Sequence, residues 1–330
     1  MMSVKVIADS ISAHTNQRIT TLELEYPRFI HAELMTHRVF SRNSSSSRAI
    51  PIQTMINHIK ATTAMPIHWG KNQSGMQAKT EVEDSVKQSA MQIWLQARDD
   101  AISHAQRLAA NGLHKQIVNR ILEPYQMMKV VVTATSFDNW FNLRLHPDAQ
   151  PEIHELAKQI YDALAVSEPM KLFKDEWHLP YIERERDEEG ELKYFVYNTD
   201  EDLTSEVYGH QYIVPLSLEQ AQKISCSCCA QVSYRKSDTS IAKSEAIYDK
   251  LVNSKPVHAS AFEHCATPID YNISAGVYVS NTPNRLDSWQ EGITHVNRNS
   301  ELCSGNFTNW IQYRQLIPSN VCEHYELGEL

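Results

Sequence analysis

The chain has 330 residues, 42% of them hydrophobic, enough for one large or two ordinary domains with a substantial buried core. Its formal net charge of −9 argues against general nucleic-acid binding, because neutralising a phosphate backbone needs an excess of Lys and Arg. There is no leading apolar segment long enough for a signal or a membrane anchor, and six cysteines without an export signal do not read as a disulfide framework. A cytoplasmic protein that binds neither membrane nor nucleic acid is expected.

In chain order, residues 1–8 read as an opening strand. Leu22, Leu24 and Tyr26 alternate with Thr21, Glu23 and Glu25, the period of a half-buried strand that Pro27 ends. Phe29, Ile30, Ala32, Leu34 and Met35 fit one face of a short helix. The stretch Thr36–Arg48 then packs His37, three arginines and a run of hydroxyls into thirteen positions with no glycine. A basic, polar segment leaving a helix whose other face is core suits an anion such as phosphate. A solvated serine-rich loop is the alternative. Between Glu83 and Ala110, Val86, Ala90, Ile93, Trp94, Ala97, Ala101, Ala105 and Leu108 recur at three- and four-residue steps, predicting a long amphipathic helix stopped near Gly112. Shorter helices are predicted over 113–122 and over 151–164, the second with Ile153, Leu156, Ala157, Ile160 and Leu164 as its buried stripe.

Residues 166–215 break this pattern. Two strand-like runs, Tyr181–Arg186 and Lys193–Tyr197, flank Asp187-Glu188-Glu189-Gly190, a hairpin signal, and the segment reads as an insertion. Helices resume over 218–230 and 239–252, the latter with Ile241, Ala242, Ala246, Ile247, Lys250 and Leu251 on its inner face. Gly305-Asn306-Phe307 reads as a loop entering a helix at Trp310–Arg314. The organisation is helical around a modest sheet.

Three blocks resemble the flavin-dependent thymidylate synthase (ThyX-like) family. Its Arg-His-Arg signature, followed after seven positions by Ser, is met by His37, Arg38 and Ser46, with Arg48 two residues on. Thr36 stands in place of the first Arg, and Ser44 in place of the usual Glu. The second block, Asn-x-x-x-x-Arg followed by Ala-Gln-x-Glu-Ile, is met by Asn139, Arg144, Ala149, Gln150, Glu152 and Ile153, and Arg120-Ile121-Leu122-Glu123-Pro124 resembles the Arg-x-x-Leu-Pro element upstream of it. The third, His258-Ala259-Ser260-Ala261-Phe262-Glu263-His264, with Ala230-Gln231-Val232-Ser233-Tyr234, precedes the signature in the usual family order but lies near the C-terminus here. A circular permutation accounts for this, since permutation is tolerated where termini lie close at the surface. The resemblance covers about half the chain. It implies an α+β fold with a central, mostly antiparallel sheet packed with long helices, and one catalytic domain over 1–330 that carries the 166–215 insertion. Longer, rearranged members of this kind look phage-encoded, which would put the enzyme in the host cell cytoplasm.

The implied reaction transfers a one-carbon unit from methylenetetrahydrofolate to C5 of dUMP, with reduction through FAD and NADPH, to give dTMP. No nucleophilic cysteine is needed, so the protein's part is to bind, orient and polarise. Arg144 is the catalytic candidate, because a guanidinium holds its charge permanently and stabilises an anionic ring with raised electron density at C5. A plain ion pair with Glu152 or Glu155 is the alternative for it. Arg48, Arg120 and Ser45, Ser46 and Ser47 are the candidates for the nucleotide phosphate, with Glu33 and Thr36 near the nucleotide. Glu33 replaces a family Gln, and a carboxylate accepts but cannot donate.

His37, Arg38, Ser44 and Asn139 are the implied flavin contacts. Thr133 and Thr135 stand where the family has Asn and Arg and keep only short polar contacts. His258 and Ser260 match residues near the flavin ring, against the alternatives of a core histidine and a helix cap. Arg42, Arg314 or a partner subunit are the candidates to replace the missing arginines. The family builds its site between subunits of a homotetramer, which is implied here too.

Other functions fit less well. Fifteen histidines and six cysteines raise a zinc hydrolase, but no His-Glu-x-x-His or paired Cys-x-x-Cys spacing appears, so no metal is expected. Cys226, Cys228 and Cys229 read as buried helix surface. No Gly-x-Gly-x-x-Gly follows a strand, which sets aside a dinucleotide-binding oxidoreductase. An enzyme acting on a cytidine nucleotide or leaving a hydroxymethyl group, and an inactive flavin- or nucleotide-binding homologue, remain as alternatives suggested by Glu33, Thr36, Ser44 and Thr135.

Overall fold

The alternation at Leu22, Leu24 and Tyr26 builds the second strand of a five-stranded sheet, seen in a computed structural model that describes residues 2–199, 211–235, 238–270, 289–322 and 324. Met1 of the opening strand and residues 200–210 of the insertion lie outside the described residues. The first half of the chain runs β1 (Ser3–Ser12), β2 (Arg18–Pro27), α1 (His31–Met35), β3 (Ser41–Ser44), α2 (Ile52–Ala61), α3 (Asp84–Ala110), α4 (Lys115–Val118), β4 (Met127–Ala134), α5 (Asp138–Arg144) and α6 (Pro151–Val166). The sheet order is β3-β4-β2-β1 and then β5 (Met170–Leu172), which pairs parallel to β1 while every other pair is antiparallel. The expected α+β architecture with a mostly antiparallel sheet is present.

One face of the sheet carries Leu22, Leu24, Tyr26, Val130 and Val132 against Ile153, Leu156, Ala157 and Ile160 of α6, as the 3.6-residue spacing dictates. Trp140 of α5 and Leu34 of α1 complete this core. The other face was expected to meet solvent, yet Thr21 and Thr133, paired across β2 and β4, are fully buried. It is covered by the C-terminal half of the chain, and its polar residues bond to one another instead of to water.

That second half runs β6 (Glu183–Arg186), β7 (Leu192–Thr199), β8 (Gln211–Leu216), α7 (Leu218–Gln231), α8 (Ile241–Asn253), β9 (Ala266–Pro268), β10 (His295–Val296), β11 (Leu302–Ser304), β12 (Phe307–Thr308) and β13 (Trp310–Gln312). The predicted hairpin is β6–β7, with Gly190 at φ +84° in its turn, and β8 adds a third strand. The insertion is less separate than expected. β5 belongs to the central sheet, and Trp177, Leu179, Tyr194 and Val196 share a core with α7 and Phe262. Helix α7 starts in a capping box between Ser217 and Gln220.

Four further expectations are corrected. Ser41–Ser44 is not loop but an edge strand on β4, because its alternate residues Ser41 and Asn43 find buried partners. Helix α3 forms over the expected span, but Val86 and Ile93 of its predicted stripe are exposed, and only Ile102 and Ala105 are buried. In α8 the buried position is Ser244, with Ile241, Tyr248 and Leu251 packed toward the core, while Ala242, Ala246 and Lys250 face out. The expected helix at 310–314 is strand β13 over Trp310–Gln312, paired to β9 with Trp310 fully buried, and a 3-10 helix follows only at Tyr313–Leu316. Among the described residues no helix is long and apolar enough to cross a membrane.

Candidate active site

Helix α1 ends at Met35, and the next turn folds His37 back into the protein. The backbone N–H groups of Thr36 and His37 donate to Glu33 O and Leu34 O, and Arg42 Nη1 donates to Met35 O and His37 O at 3.1 and 3.0 Å. Arg42 thereby satisfies carbonyls that a helix end leaves open. The buried His37 ring stacks on Phe40 at 5.7 Å and meets the edge of Trp140 at 4.8 Å. Burial, then Arg144 and Arg42, push its pKa down, so the imidazole is neutral.

Arg144 is the last residue of α5 and meets this turn from the far side of the sequence. Its Nε donates to His37 Nε2 at 3.1 Å, Nη1 to Glu33 Oε2 at 2.9 Å and Nη2 to Thr36 Oγ1 at 3.3 Å. His37 Nε2 is therefore the acceptor, and Nδ1 carries the ring proton. The carboxylate on Arg144 is Glu33, not Glu152 or Glu155. Glu152 instead accepts from Ile67 N at 2.7 Å and from the Gln150 amide. Arg144 and Glu33 open onto a cleft of about 1320 Å³ walled by Phe29, Trp94, Pro124 and Leu143. Its opposite wall is a loop carrying His68 and Lys79, closed by bonds of Lys71 N to Thr80 O and Val82 N to Trp69 O. Gly70 is required in that loop, since a Cβ there would lie 2.1 Å from the Ala78 Cβ.

The serine segment forms a second cluster. Ser45 N donates to Lys129 O, Ser46 N donates to Ser233 O, and Asn119 Nδ2 holds Ser47 O and Ile50 O at 2.7 and 2.9 Å. Glu123 Oε1 accepts from Ser47 Oγ at 2.6 Å and from Arg120 Nη1 at 2.9 Å, and Arg28 pairs with its other oxygen at 3.1 Å. Two guanidiniums and a hydroxyl thus already converge on a carboxylate, the donor set an oxyanion takes. Ser45 Oγ accepts from Lys129 N, while Ser44 and Ser46 are half-buried and Arg48 is exposed. None of Arg38, Ser44–Ser47, Arg48 and Arg120 lines the Arg144 cleft within one chain.

The expected flavin contacts divide into exposed and sealed groups. Arg38 and Asn139 are exposed beside the touching pair His37 and Trp140, and His258 and Ser260 are exposed at the start of the 3-10 turn Ala259–His264. Thr133 is buried and bonded within the protein, which corrects the short flavin contact expected of it, whereas Thr135 lines a separate pocket of about 310 Å³ with Arg18, Phe137 and Phe141. Thr135 Oγ1 accepts from Thr308 N at 3.2 Å. Thr133 Oγ1 lies 2.7 Å from Thr21 Oγ1 and 2.9 Å from His264 Nδ1. Arg42 and Arg314, the expected replacements, are engaged too. Arg42 holds the α1 carbonyls, and Arg314 pairs with Glu263.

Thr133 belongs to a relay that no motif reveals. Arg184 Nη1 donates to Ser10 Oγ at 2.8 Å, Ser10 Oγ lies 2.8 Å from His178 Nδ1, and His178 Nε2 lies 2.8 Å from Thr21 Oγ1. The line continues through Thr133 to His264, whose Nε2 is buried with no partner among the described residues. Arg184 can only donate, and only one direction uses every hydroxyl proton, so Nε2 of both histidines carries the proton. Burial pushes the His178 pKa well down and that of His264 down to about 3. The cysteines of α7 are equally sealed. Cys226, Cys228 and Cys229 are buried, and burial raises their thiols, Cys228 to about 12, which leaves no thiolate nucleophile there.

Residues 8–170, which contain the Thr36–Arg48 and Asn139–Ile153 blocks, match the sequence model of a family described as thymidylate synthase complementing protein. Residues 230–234 and 258–264 fall outside the match. Among solved structures, the UMP/dUMP methylase PolB from Streptomyces cacaoi bound with 5-Br dUMP is 18% identical, with a TM-score of 0.42 over 50% of this chain and 90% of that one. The same methylase with 5-Br UMP gives 19%, 0.42, 50% and 89%. Thymidylate Synthase X from Helicobacter pylori with FAD and dUMP gives 18%, 0.32, 44% and 67%. A search of curated proteins finds no match.

Proposed function

Because the chain belongs, over residues 8–170, to the thymidylate synthase complementing protein family, we propose that it is a flavin-dependent enzyme that adds a one-carbon unit to C5 of a pyrimidine nucleotide. The observation that carries this reading is the meeting of two distant matched blocks, Glu33, Thr36 and His37 with Arg144, at the mouth of a cleft large enough for a nucleotide. The reaction proposed from the resemblance is dUMP to dTMP, with methylenetetrahydrofolate as carbon donor and NADPH as reductant, in the cytoplasm.

The side chains left free have the chemistry a flavin takes. Arg38 suits a phosphate, and Asn139, His258 and Ser260 supply donors and acceptors for a ring edge. When bound, FAD supplies the electrons and carries the carbon unit. The chain's own part is positioning. Phe29 and Trp94 offer apolar walls for a base. Arg144, held at three points, keeps two N–H groups for the ligand and a charge that does not titrate. Neutral His37 fixes the Arg144 plane.

Since Arg48, Arg120 and the serines lie outside the Arg144 cleft of the same chain, the proposal includes a homotetramer in which a second copy brings its serine loop to this cleft. It also includes a circular permutation. Ser46 N to Ser233 O, Asn43 Nδ2 to Cys229 O and the Thr133–His264 bond seat the displaced C-terminal blocks against β3 and β4, as one reordered catalytic domain requires. Purified protein incubated with FAD should turn yellow and form a C5-alkylated pyrimidine nucleotide. A colourless protein that also leaves both dUMP and dCMP unchanged contradicts the reading.

A further inference from the structure

We propose that the pocket at the N-terminal end of α5 is a second ligand site, which takes a neutral, flat heteroaromatic bicycle of the purine type. It is separate from the Arg144 cleft, and its existence does not depend on how that cleft is read.

The pocket, of about 310 Å³, is set between the starts of β2 and α5 and the end of α6. That is the small end of the range for ligand sites, with room for one bicyclic ring and not for a whole dinucleotide. Phe137, Phe141 and Tyr161 give it an aromatic side. The rings of Phe137 and Phe141 stack at 6.1 Å, and Tyr161 meets Phe141 edge-on at 5.4 Å. A flat aromatic ligand gains most against such a wall.

Three polar groups of the same pocket have capacity to spare. Arg18 binds Asp9 through Nε at 2.9 Å and Nη2 at 2.5 Å, and Nη2 also donates to Leu164 O and Ser167 O, while Nη1 has no partner among the described residues. Thr135 Oγ1 accepts from Thr308 N, and its own proton has no acceptor among the described residues. Asp138 accepts from Ser136 through Oδ2, which leaves Oδ1 open. Two donors and one acceptor thus border an aromatic surface. A hydrocarbon ring leaves all three unpaired, whereas a heterocycle with ring acceptors and an N–H donor satisfies them. Adenine, hypoxanthine and guanine all carry that combination, so the pocket selects the class and not one base.

Charge narrows the class further. Arg18 and Asp9 cancel one another, and Asp138 adds one negative charge. An anionic ring is therefore repelled, and a neutral one is not. Asp138 is followed in the chain by Asn139, which the proposed function assigns to the flavin. The ring consequently has two sources, the adenine end of FAD or a free purine nucleoside.

The test is calorimetric titration of the full chain with adenosine and with xanthosine at pH 8, where the xanthosine ring is anionic. Adenosine should bind and xanthosine should bind at least about tenfold more weakly. Tyr161, half exposed, can be removed without touching the core, and Tyr161→Ala should weaken adenosine at least about fivefold, the lower end of what stacking on one aromatic contributes. Ala165→Trp, which puts an indole into the pocket, should abolish binding, and Arg144→Ala should leave it unchanged. A preference for FAD over FMN that shrinks in Tyr161→Ala identifies the cofactor as the source. Adenosine binding to FAD-loaded protein, with the FAD-to-FMN ratio unaltered in that variant, identifies the free nucleoside. No adenosine binding, xanthosine as tight as adenosine, or an unchanged affinity in both pocket variants would overturn the inference. Intact adenosine binding beside a failure to alkylate any pyrimidine nucleotide would sink the reading of the cleft alone.

Discussion

Two polar clusters lie a short stretch of chain apart, and they are built on opposite rules. In the relay from Ser10 to His264 the side chains are buried, the hydroxyls donate and accept in one fixed direction, and both histidines are neutral. In the cleft, Arg144 keeps two N–H groups and Glu33 keeps one oxygen, and both are partly open to solvent. The relay has nothing left to give a ligand except one buried N–H at its end. The cleft is unsaturated by design of the same residue types. Spare hydrogen-bonding capacity separates a site from a scaffold more reliably here than residue identity does, since both clusters contain His, Arg and Thr.

The largest expected difference between the two regions is in stability. His178→Ala strands Ser10 and Thr21 and leaves a cavity, which should cost about 3–5 kcal/mol in urea unfolding. Arg144→Ala removes a partly exposed pair and should cost under about 1 kcal/mol. Equal costs would erase the distinction.

Acid should act on the relay next. The unfolded chain binds a proton at each histidine below about pH 6.5, whereas folded His264 resists protonation down to about 3. The unfolded state therefore gains protons first, and stability is lost as pH falls from about 6.5 toward 3. His264→Gln should lose less stability than the wild type between neutral and mildly acid buffer, and parallel curves would show that this ring does not carry the effect. The smallest effect is spectroscopic. Nitrogen-15 spectra should find His264 as the Nε2–H tautomer, and Ser10→Ala, which cuts the relay from Arg184, should produce a tautomer mixture. An unchanged single tautomer in that variant would mean the relay has no set direction.

Much of the molecule was legible because local pattern and tertiary demand agree. Leu22, Leu24 and Tyr26 alternate because one face of β2 is core, and the stripe on α6 follows from helical spacing. The hairpin turn was carried by Gly190. The misses have a common cause. Thr21 and Thr133 look like solvent-facing positions, and only the distant His178 and His264 make their burial tolerable. Val86 and Ile93 repeat at core spacing on α3 yet stay exposed among the described residues. Glu33 and Arg144 were both singled out, but their contact joins two blocks more than a hundred residues apart, and no periodicity encodes that. Glu123, which gathers Arg28, Arg120 and Ser47, carried no signal beyond its place before Pro124.

The central claim is that Arg144, fixed by His37, Thr36 and Glu33, presents its charge to a nucleotide ring while the flavin is held elsewhere. The direct measurement is single-turnover product formation by FAD-loaded Arg144→Ala, with flavin content read in the same sample. The account predicts that flavin stays bound and that formation of the C5-alkylated nucleotide falls by at least about a hundredfold, the scale of losing a preorganised charge at the reacting ring. Turnover at the wild-type rate, or loss of flavin together with activity, would contradict it.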